Sequence, residues 1–415
     1  MQIFKFGGAS VKNAEAVKNI KKIIQNSENL IVVVSAIDKT TNALEGLHKL
    51  YIENAPKKNE VFLNIKNYHF DLYKDLFQEK PDNSDLGSLF KELYSIIQTK
   101  PSGNSDFEYD KIVVYGELFS SAIIYKYLFE QGLSITHLDI RKVLITDSTH
   151  KEAKIIWEES KRKLDEYLGN FTKKIILTQG FIGFSTSGNN TTLGREGSDF
   201  TAAALAFILN TKDVVIWKDV PGIMNADPVW CNFAQKLDVL SYQEAIELAF
   251  YGAKVIHPKT IKPLENKNIP LYVKSFLNPE KEGTVIKKIN HKLELPPIFI
   301  LKENQTLISI SPKDFSFIVE ENISKIFGLF VKYNIKVNMT QNSAISFSAS
   351  INSNSGNFID LINELGKEYV VKYNENLQLI TIRHYTDVAI NKMISGKQIF
   401  MEQRSRITAR FVVPE

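Results

Sequence analysis

Cysteine is nearly absent. Cys231 is the only one in 415 residues, which excludes an intrachain disulfide and a cysteine-built metal cluster. The seven histidines show no ligand spacing such as HExxH, so structural or surface roles are expected for all of them, His257 included. An excess of charge is also missing. The 51 basic and 47 acidic residues leave a net +4, too balanced to call for nucleic acid or an anionic membrane. No unbroken apolar run approaches the roughly 18 residues of a membrane span. Met1-Gln2 leads straight into a strand-like run without a signal-peptide pattern. No GxxxxGK[ST] phosphate loop occurs. With 44% hydrophobic and 24% charged residues, the expectation is an ordinary globular, cytoplasmic protein of two or three domains.

What is present begins at the N-terminus, with Lys5-Phe6-Gly7-Gly8-Ala9-Ser10-Val11. An apolar run enters a Gly-Gly pair, and Val11, Ala14, Val17, Ile20 and Ile24 follow at helical spacing. Strand, glycine turn and helix start make an anion site of outward N–H groups, to which Lys5 adds a full charge. A plain tight turn with a surface lysine would give the same pattern.

The alternation continues as an α/β fold with a mostly parallel sheet. A strand is predicted over 2–6, a helix over 11–25, a strand over 30–36 and a helix from near 42. Residues 56–100 interrupt it. Stripes of Ile65, Tyr68, Leu72 and Leu76, then Leu89, Leu93 and Ile96, flank Pro81-Asp82-Asn83-Ser84 and predict an inserted helical hairpin. Strands are then expected at 112–115, 135–139, 174–178, 213–217 and 270–274, and helices at 117–131, 151–168, 198–210, 241–251 and 258–267. The stretch 291–297 reads as a linker. Beyond it, the order βαββαβ to residue 382 predicts a ferredoxin-like unit. A helix at 386–394 and strands at 397–403 and 407–413 make only part of a second one. The expected domains are 1–290, 298–376 and a partial unit over 377–415.

Four further constellations carry chemistry. Thr192-Leu193-Gly194-Arg195-Glu196-Gly197-Ser198-Asp199 is a glycine-spaced polar loop opening a helix. Ser198 or Asp199 can cap that helix, and Arg195 offers a forked donor to a carboxylate or phosphate. Trp217-Lys218-Asp219-Val220-Pro221-Gly222-Ile223-Met224-Asn225-Ala226-Asp227-Pro228 leaves the end of a buried strand, where ligands of open α/β sheets gather. Lys254, before His257-Pro258, can reach a phosphate. Tyr115-Gly116-Glu117 places a carboxylate at a helix start, which suits either the helix dipole or a substrate ammonium. Collected, these parts suit phosphoryl transfer, which needs positioning and charge stabilisation above all, with Mg2+ bridging the phosphates. No general base stands out. A carboxylate nucleophile, ionised above a pKa near ~4, needs none.

These motifs resemble the aspartate kinases of the amino-acid kinase superfamily over essentially the whole chain. The resemblance rests on Lys5-Phe6-Gly7-Gly8 with Ser10-Val11, Val34-Ser35-Ala36 with Thr41-Asn42, and Gly116-Glu117. It continues through Gln179-Gly180-Phe181-Ile182-Gly183, the 192–199 loop, Asp219-Val220-Pro221-Gly222 with Asp227-Pro228, and Gly252-Ala253-Lys254, all in order. It implies an amino-acid-kinase fold followed by ferredoxin-like ACT units, ATP and Mg2+, L-aspartate as substrate, and L-4-aspartyl phosphate as product. It implies that Lys5 stabilises the transferring phosphoryl group, that Asp199 holds Lys5, that Glu117 binds the substrate ammonium, and that Arg195 binds a substrate carboxylate. Ser35, Thr41, Phe181 and Ser198 would line the aspartate pocket. Gly7 and Gly8, with Trp217, Lys218, Asp219, Gly222, Met224, Asp227 and Lys254, would carry ATP. The ACT region would bind an end-product amino acid and mediate a homodimer, with no nucleic acid or membrane partner. The chain departs from the pattern at Ala9, Met224 and Val229, and at Asn338 and Ala344, where lysine-inhibited relatives carry acids. A kinase-like sensor without turnover is the alternative reading.

Overall fold

The computed structural model describes residues 1–169, 174–253, 256–314, 316–353 and 357–415. The chain divides into two compact units. The first holds residues 1–223, 236–246 and 255–291, and the second holds 224–235, 247–254 and 292–415.

The first unit opens with β1 (Gln2–Phe6), α1 (Ala14–Ile24), β2 (Leu30–Val34) and α2 (Thr40–Ile52). α3 (Lys58–Phe77) and α4 (Asp85–Gln98) form the expected hairpin, with a 3-10 turn at Pro81–Asn83 between them. Ser84 caps α4 by accepting the Gly87 N–H at 3.3 Å. α5 (Ser105–Val113) and α6 (Tyr115–Glu130) follow, then β3 (Ile135–Leu138), β4 (Ile145–Thr146), α7 (Trp157–Leu168), β5 (Ile175–Gln179), β6 (Ile182–Ser185) and β7 (Asn190–Thr192). α8 (Gly197–Leu209), β8 (Val214–Lys218), β9 (Val239–Ser241), α9 (Tyr242–Tyr251), α10 (Pro258–Lys267), β10 (Leu271–Ser275) and β11 (Thr284–Lys287) complete the series, with the end of α9 assigned to the second unit.

Among the described residues the main sheet has the order β3-β5-β2-β1-β8-β10-β11-β9. Its pairs are parallel except β10 with β11. Every residue of β2 and of β5 is buried, as expected of strands covered on both faces by helices. The register aligns Phe6 with Val34 and Trp217, and Val34 with Gln179. The chain therefore leaves β1, β2, β5 and β8 along one carboxyl edge, where the residues of interest emerge.

The predicted strand at 112–115 is helical: α5 and α6 run almost without a break through Ile112-Val113-Val114-Tyr115. These residues are buried, and periodicity alone does not separate a short buried strand from a buried helix. The stretch Ser105–Glu130 is also long and apolar enough to cross a membrane, but 78% of its most apolar window is buried inside the protein. It is a core element. The helix predicted from 151 starts only at Trp157.

In the second unit β12 (Ile298–Pro312), α11 (Glu320–Lys332), β13 (Val337–Asn342), β14 (Phe347–Asn352), α12 (Phe358–Leu365) and β15 (Tyr369–Arg383) are followed by α13 (Asp387–Ile394), β16 (Met401–Arg404) and β17 (Thr408–Pro414). One antiparallel sheet runs β13-β14-β12-β15-β17-β16. β12 and β15 are long and serve both halves. Residues 305–310 of β12 pair with β14, while residues 377–383 of β15 pair with β17. A boundary at 376/377 thus falls inside a strand, and Ile298–Lys302 supplies the strand that the C-terminal half lacks in sequence order. That half buries Ile380, Ile382, Ile390 and Phe411 together with Ala226 and Cys231 from the 224–235 segment.

Candidate active site

Lys5 stands next to last in β1, the strand with neighbours on both sides at the sheet's centre. It is 8% exposed. Its Nζ lies 2.6 Å from Asp199 Oδ1, and Asp199 sits in the first turn of α8, where an acid complements the helix dipole. Burial pushes the Asp199 carboxyl up. The Lys5 ammonium, with Lys218, more than offsets this and holds it below the ordinary carboxylate range. The pair sets a lysine and its counter-ion side by side, nearly buried, at the end of β1.

The glycine turn follows at once. Gly7 precedes a 3-10 turn over Gly8–Val11, and its carbonyl accepts the Ser10 N–H at 2.9 Å. A Cβ on Gly8 would stand 2.8 Å from the Asp38 carbonyl oxygen and 3.0 Å from that of Ala36. Only glycine lets the loop after β2 close on the turn. That loop carries Ser35, whose N–H reaches the Phe6 carbonyl at 3.1 Å, and Thr41 in the first turn of α2.

Glu117 enters from the first turn of α6. Its Oε1 accepts the Ala36 N–H at 3.2 Å. Its Oε2 is buried and finds no hydrogen-bond partner among the described residues. Burial drives its pKa up to about 8, against the opposing pull of the Ala36 N–H and the Lys5 charge. A buried acid with one free oxygen suits an incoming cation.

Phe181 adopts a left-handed backbone, φ 65°, an uncommon state for an aromatic residue. Two bonds fix it: its N–H donates to Thr201 Oγ1 at 2.9 Å, and its carbonyl accepts the Leu193 N–H at 2.8 Å. Ser198 is buried beside Gly180. Arg195 is exposed.

The nucleotide-side residues divide. The Trp217 indole is buried and packed between Phe4 and Phe6, stacked on Phe6 at 6.0 Å. It packs on the sheet face that carries Phe4 and Phe6. Its carbonyl accepts the Ser10 hydroxyl at 3.4 Å. Lys218 is half-buried and Asp219 exposed. Gly222 is buried in the following turn, where Thr284 Oγ1 accepts the Ile223 N–H at 2.8 Å. Met224 and Asp227 belong to the second unit, where Asp227 accepts the Val229 N–H at 3.0 Å. Val229 is 92% exposed. Lys254 lies outside the described residues.

Two features have no motif in the sequence. The inserted helix α3 reaches the start of α2: Thr40 Oγ1 lies 3.4 Å from His69 Nε2, and Tyr68 donates to the Lys12 carbonyl at 2.7 Å. A cavity of about 360 Å³ between them is lined by Asp38, Thr40, Ala43, Ile65 and Tyr68, among others. The second is Asp110, a fully buried acid on α5 that accepts from Thr192, His150 and the Lys151 N–H.

The amino acid kinase family model matches residues 1–275. The lysine-sensitive aspartokinase 3 of Escherichia coli is 30% identical over 92% of this chain and 86% of its own length. The chloroplastic aspartokinase 3 of Arabidopsis thaliana is 30% identical over 98% of this chain and 74% of its own. The chain spans only 32% of the bifunctional aspartokinase/homoserine dehydrogenase 2 of that plant, at 33% identity. Escherichia coli aspartokinase III in complex with aspartate and ADP superposes with a TM-score of 0.82 at 28% identity, covering all of this chain and 96% of that one. The fold, the paired lysine at the carboxyl edge and these likenesses agree, and the chain belongs to the amino acid kinase family and, within it, to the aspartokinases.

Proposed function

We propose that this chain transfers the γ-phosphoryl group of ATP to the side-chain carboxylate of L-aspartate, giving L-4-aspartyl phosphate and ADP. This is the first step toward the amino acids built from aspartate. The observation that carries the reading is the buried Lys5–Asp199 pair at the end of β1, 2.6 Å apart. A fixed cation there faces the charge that spreads over the phosphoryl oxygens in transfer, and fixed charges in a dry site are worth more than mobile ones. The glycine turn at Gly7-Gly8 offers backbone N–H groups to the same phosphates.

Glu117 would take the substrate ammonium, surrendering its proton as the cation arrives. Arg195 would take the carboxylate that does not react, while Ser35, Thr41, Phe181 and Ser198 shape the space between. Aspartate's reacting carboxylate is already ionised, so the site needs no base. Among the described residues no three His, Cys, Asp or Glu side chains cluster as a metal site. Mg2+ would arrive on the ATP phosphates and would there neutralise charge. Lys218, Asp219, Gly222, Met224, Asp227 and Lys254 remain the proposed nucleotide contacts.

The second unit would bind an amino-acid effector and pair two copies. Asn338 is fully engaged there. It donates to Gln305 and Asn352 at 2.8 and 2.6 Å and accepts from Lys302 at 3.1 Å. It therefore offers no carboxylate to a lysine ammonium, and weak inhibition by lysine is expected. The reading is tested by trapping the acyl phosphate with hydroxylamine. Hydroxamate should form with Mg-ATP and L-aspartate and not with L-glutamate. Folded protein that yields none with either would overturn it in favour of a sensor.

A further inference from the structure

Asp110 is 0% exposed, and its carboxylate gathers three donors from two separate segments. Thr192 Oγ1, at the end of β7, donates at 2.6 Å. His150 Nδ1 stands at 2.7 Å and the Lys151 N–H at 3.2 Å. Burial raises the carboxyl while these donors pull the other way. A fully buried acid spent on three bonds to loop residues is costly unless the loops must be held.

What it holds is the approach to Arg195. The Ala153 N–H donates to the Thr192 carbonyl at 2.9 Å, and the Leu193 N–H to the Phe181 carbonyl at 2.8 Å. Lys259 Nζ donates to the Leu193 carbonyl at 2.8 Å. Gly194 then turns with φ 76° against the segment that Asp110 anchors. A Cβ there would stand 3.2 Å from the Glu152 side chain and 3.3 Å from the Lys151 carbonyl oxygen. After Arg195, the Gly197 N–H donates to the Gly194 carbonyl at 3.0 Å and the Phe200 N–H to the Glu196 carbonyl at 3.1 Å, while the Glu196 carboxylate accepts the His257 N–H at 2.9 Å. The backbone on both sides of Arg195 is therefore fixed, while its own side chain is exposed.

We propose that Asp110, acting with Thr192 and His150, is a positioning residue for Arg195. It sets the backbone from which the guanidinium meets the substrate carboxylate, and this rests on the role given to Arg195 above. A displaced guanidinium weakens aspartate binding and leaves the ATP side alone.

The test uses the full chain and steady-state kinetics with each substrate varied, alongside thermal unfolding. Thr192→Val removes the hydroxyl at nearly constant volume, and Thr192→Ser restores it. Asp110→Asn is the stronger variant; if it fails to fold, the Thr192 pair carries the test. Thr192→Val should raise the aspartate KM about 10- to 100-fold with the ATP KM held within about twofold, and Thr192→Ser should return it. In an Arg195→Ala background the effect of Thr192→Val should vanish, because nothing remains to be positioned. Full additivity in that background, or an equal rise in both KM values, would overturn the positioning role while leaving Arg195 its own. An aspartate KM unchanged by Arg195→Ala alone would overturn the Arg195 assignment and the proposal with it.

Discussion

In the roles proposed for them, the two buried acids Asp199 and Glu117 treat charge in opposite ways. At the phosphoryl end, Asp199 has Lys5 at 2.6 Å and is held below the ordinary carboxylate range. At the proposed substrate end, Glu117 accepts the Ala36 N–H, keeps one oxygen without a hydrogen-bond partner among the described residues, and is raised to about 8. Both acids are almost fully buried, so burial alone does not separate them. The difference is whether the compensating cation is built into the chain or delivered with the substrate. A preformed pair would let Lys5, in its proposed role, meet the phosphoryl group without reorganising. An acid left short of a cation makes the free site unfavourable and binding of an ammonium favourable.

The comparison breaks most severely at Lys5. Lys5→Met should lower kcat by about 10³-fold or more, because the cation facing the phosphoryl oxygens is gone. It should also strip the buried Asp199 of its paired cation and leave it only the weaker pull of Lys218, at a stability cost of roughly 3–5 kcal/mol near neutral pH. Denaturant unfolding beside the hydroxamate assay reads both. Asp199→Asn keeps the cation and loses its anchor. A fall of about 10²-fold in kcat with the aspartate KM nearly unchanged is expected.

Glu117→Gln sharpens the contrast from the other end. The aspartate KM should rise about tenfold or more. Stability should move the opposite way. A carboxyl raised from 4.5 to about 8 binds more protons folded than unfolded, so its contribution is full below pH 4.5 and is lost as pH rises toward 8. The Gln variant should therefore melt higher than the wild type at pH 8.5 and no higher at pH 4.5. The smallest effect is at His69, which burial lowers to about 4. The unfolded chain takes up that proton first, so stability falls as pH drops from about 6.5 to 4. His69→Phe should flatten this part of the pH–melting curve, whatever uniform shift the lost Thr40 contact adds.

The residues of the proposed site stand out in sequence because they come in short local patterns at strand ends. Lys5 with Gly7-Gly8, Gly116-Glu117 and Ser198-Asp199 each sit within a few residues of a turn that the glycines announce. What escaped depends on contacts far apart in the chain. Asp110 lies in an unmarked helix, and its partners are 40 and 82 residues away. Ile112-Val113-Val114 read as strand because β-branched residues favour strands, and burial between other helices overrode that propensity. Trp217 entered the ATP set through the resemblance, and its packing on Phe4 and Phe6 is a long-range feature that the motif does not announce. The C-terminal half of the second sheet looked incomplete because Ile298–Lys302 pairs there out of sequence order.

The most direct test of the account is calorimetric titration of L-aspartate into the protein at pH 7, with Mg2+ and a non-hydrolysable ATP analogue present throughout, in buffers of different ionisation enthalpy. Glu117 at about 8 is mostly protonated at that pH and must ionise when the substrate ammonium reaches it. Release of about one proton per aspartate bound is predicted, absent in Glu117→Gln. Binding without proton release, or release undiminished in the variant, would contradict the claim that this end of the cleft waits for its cation.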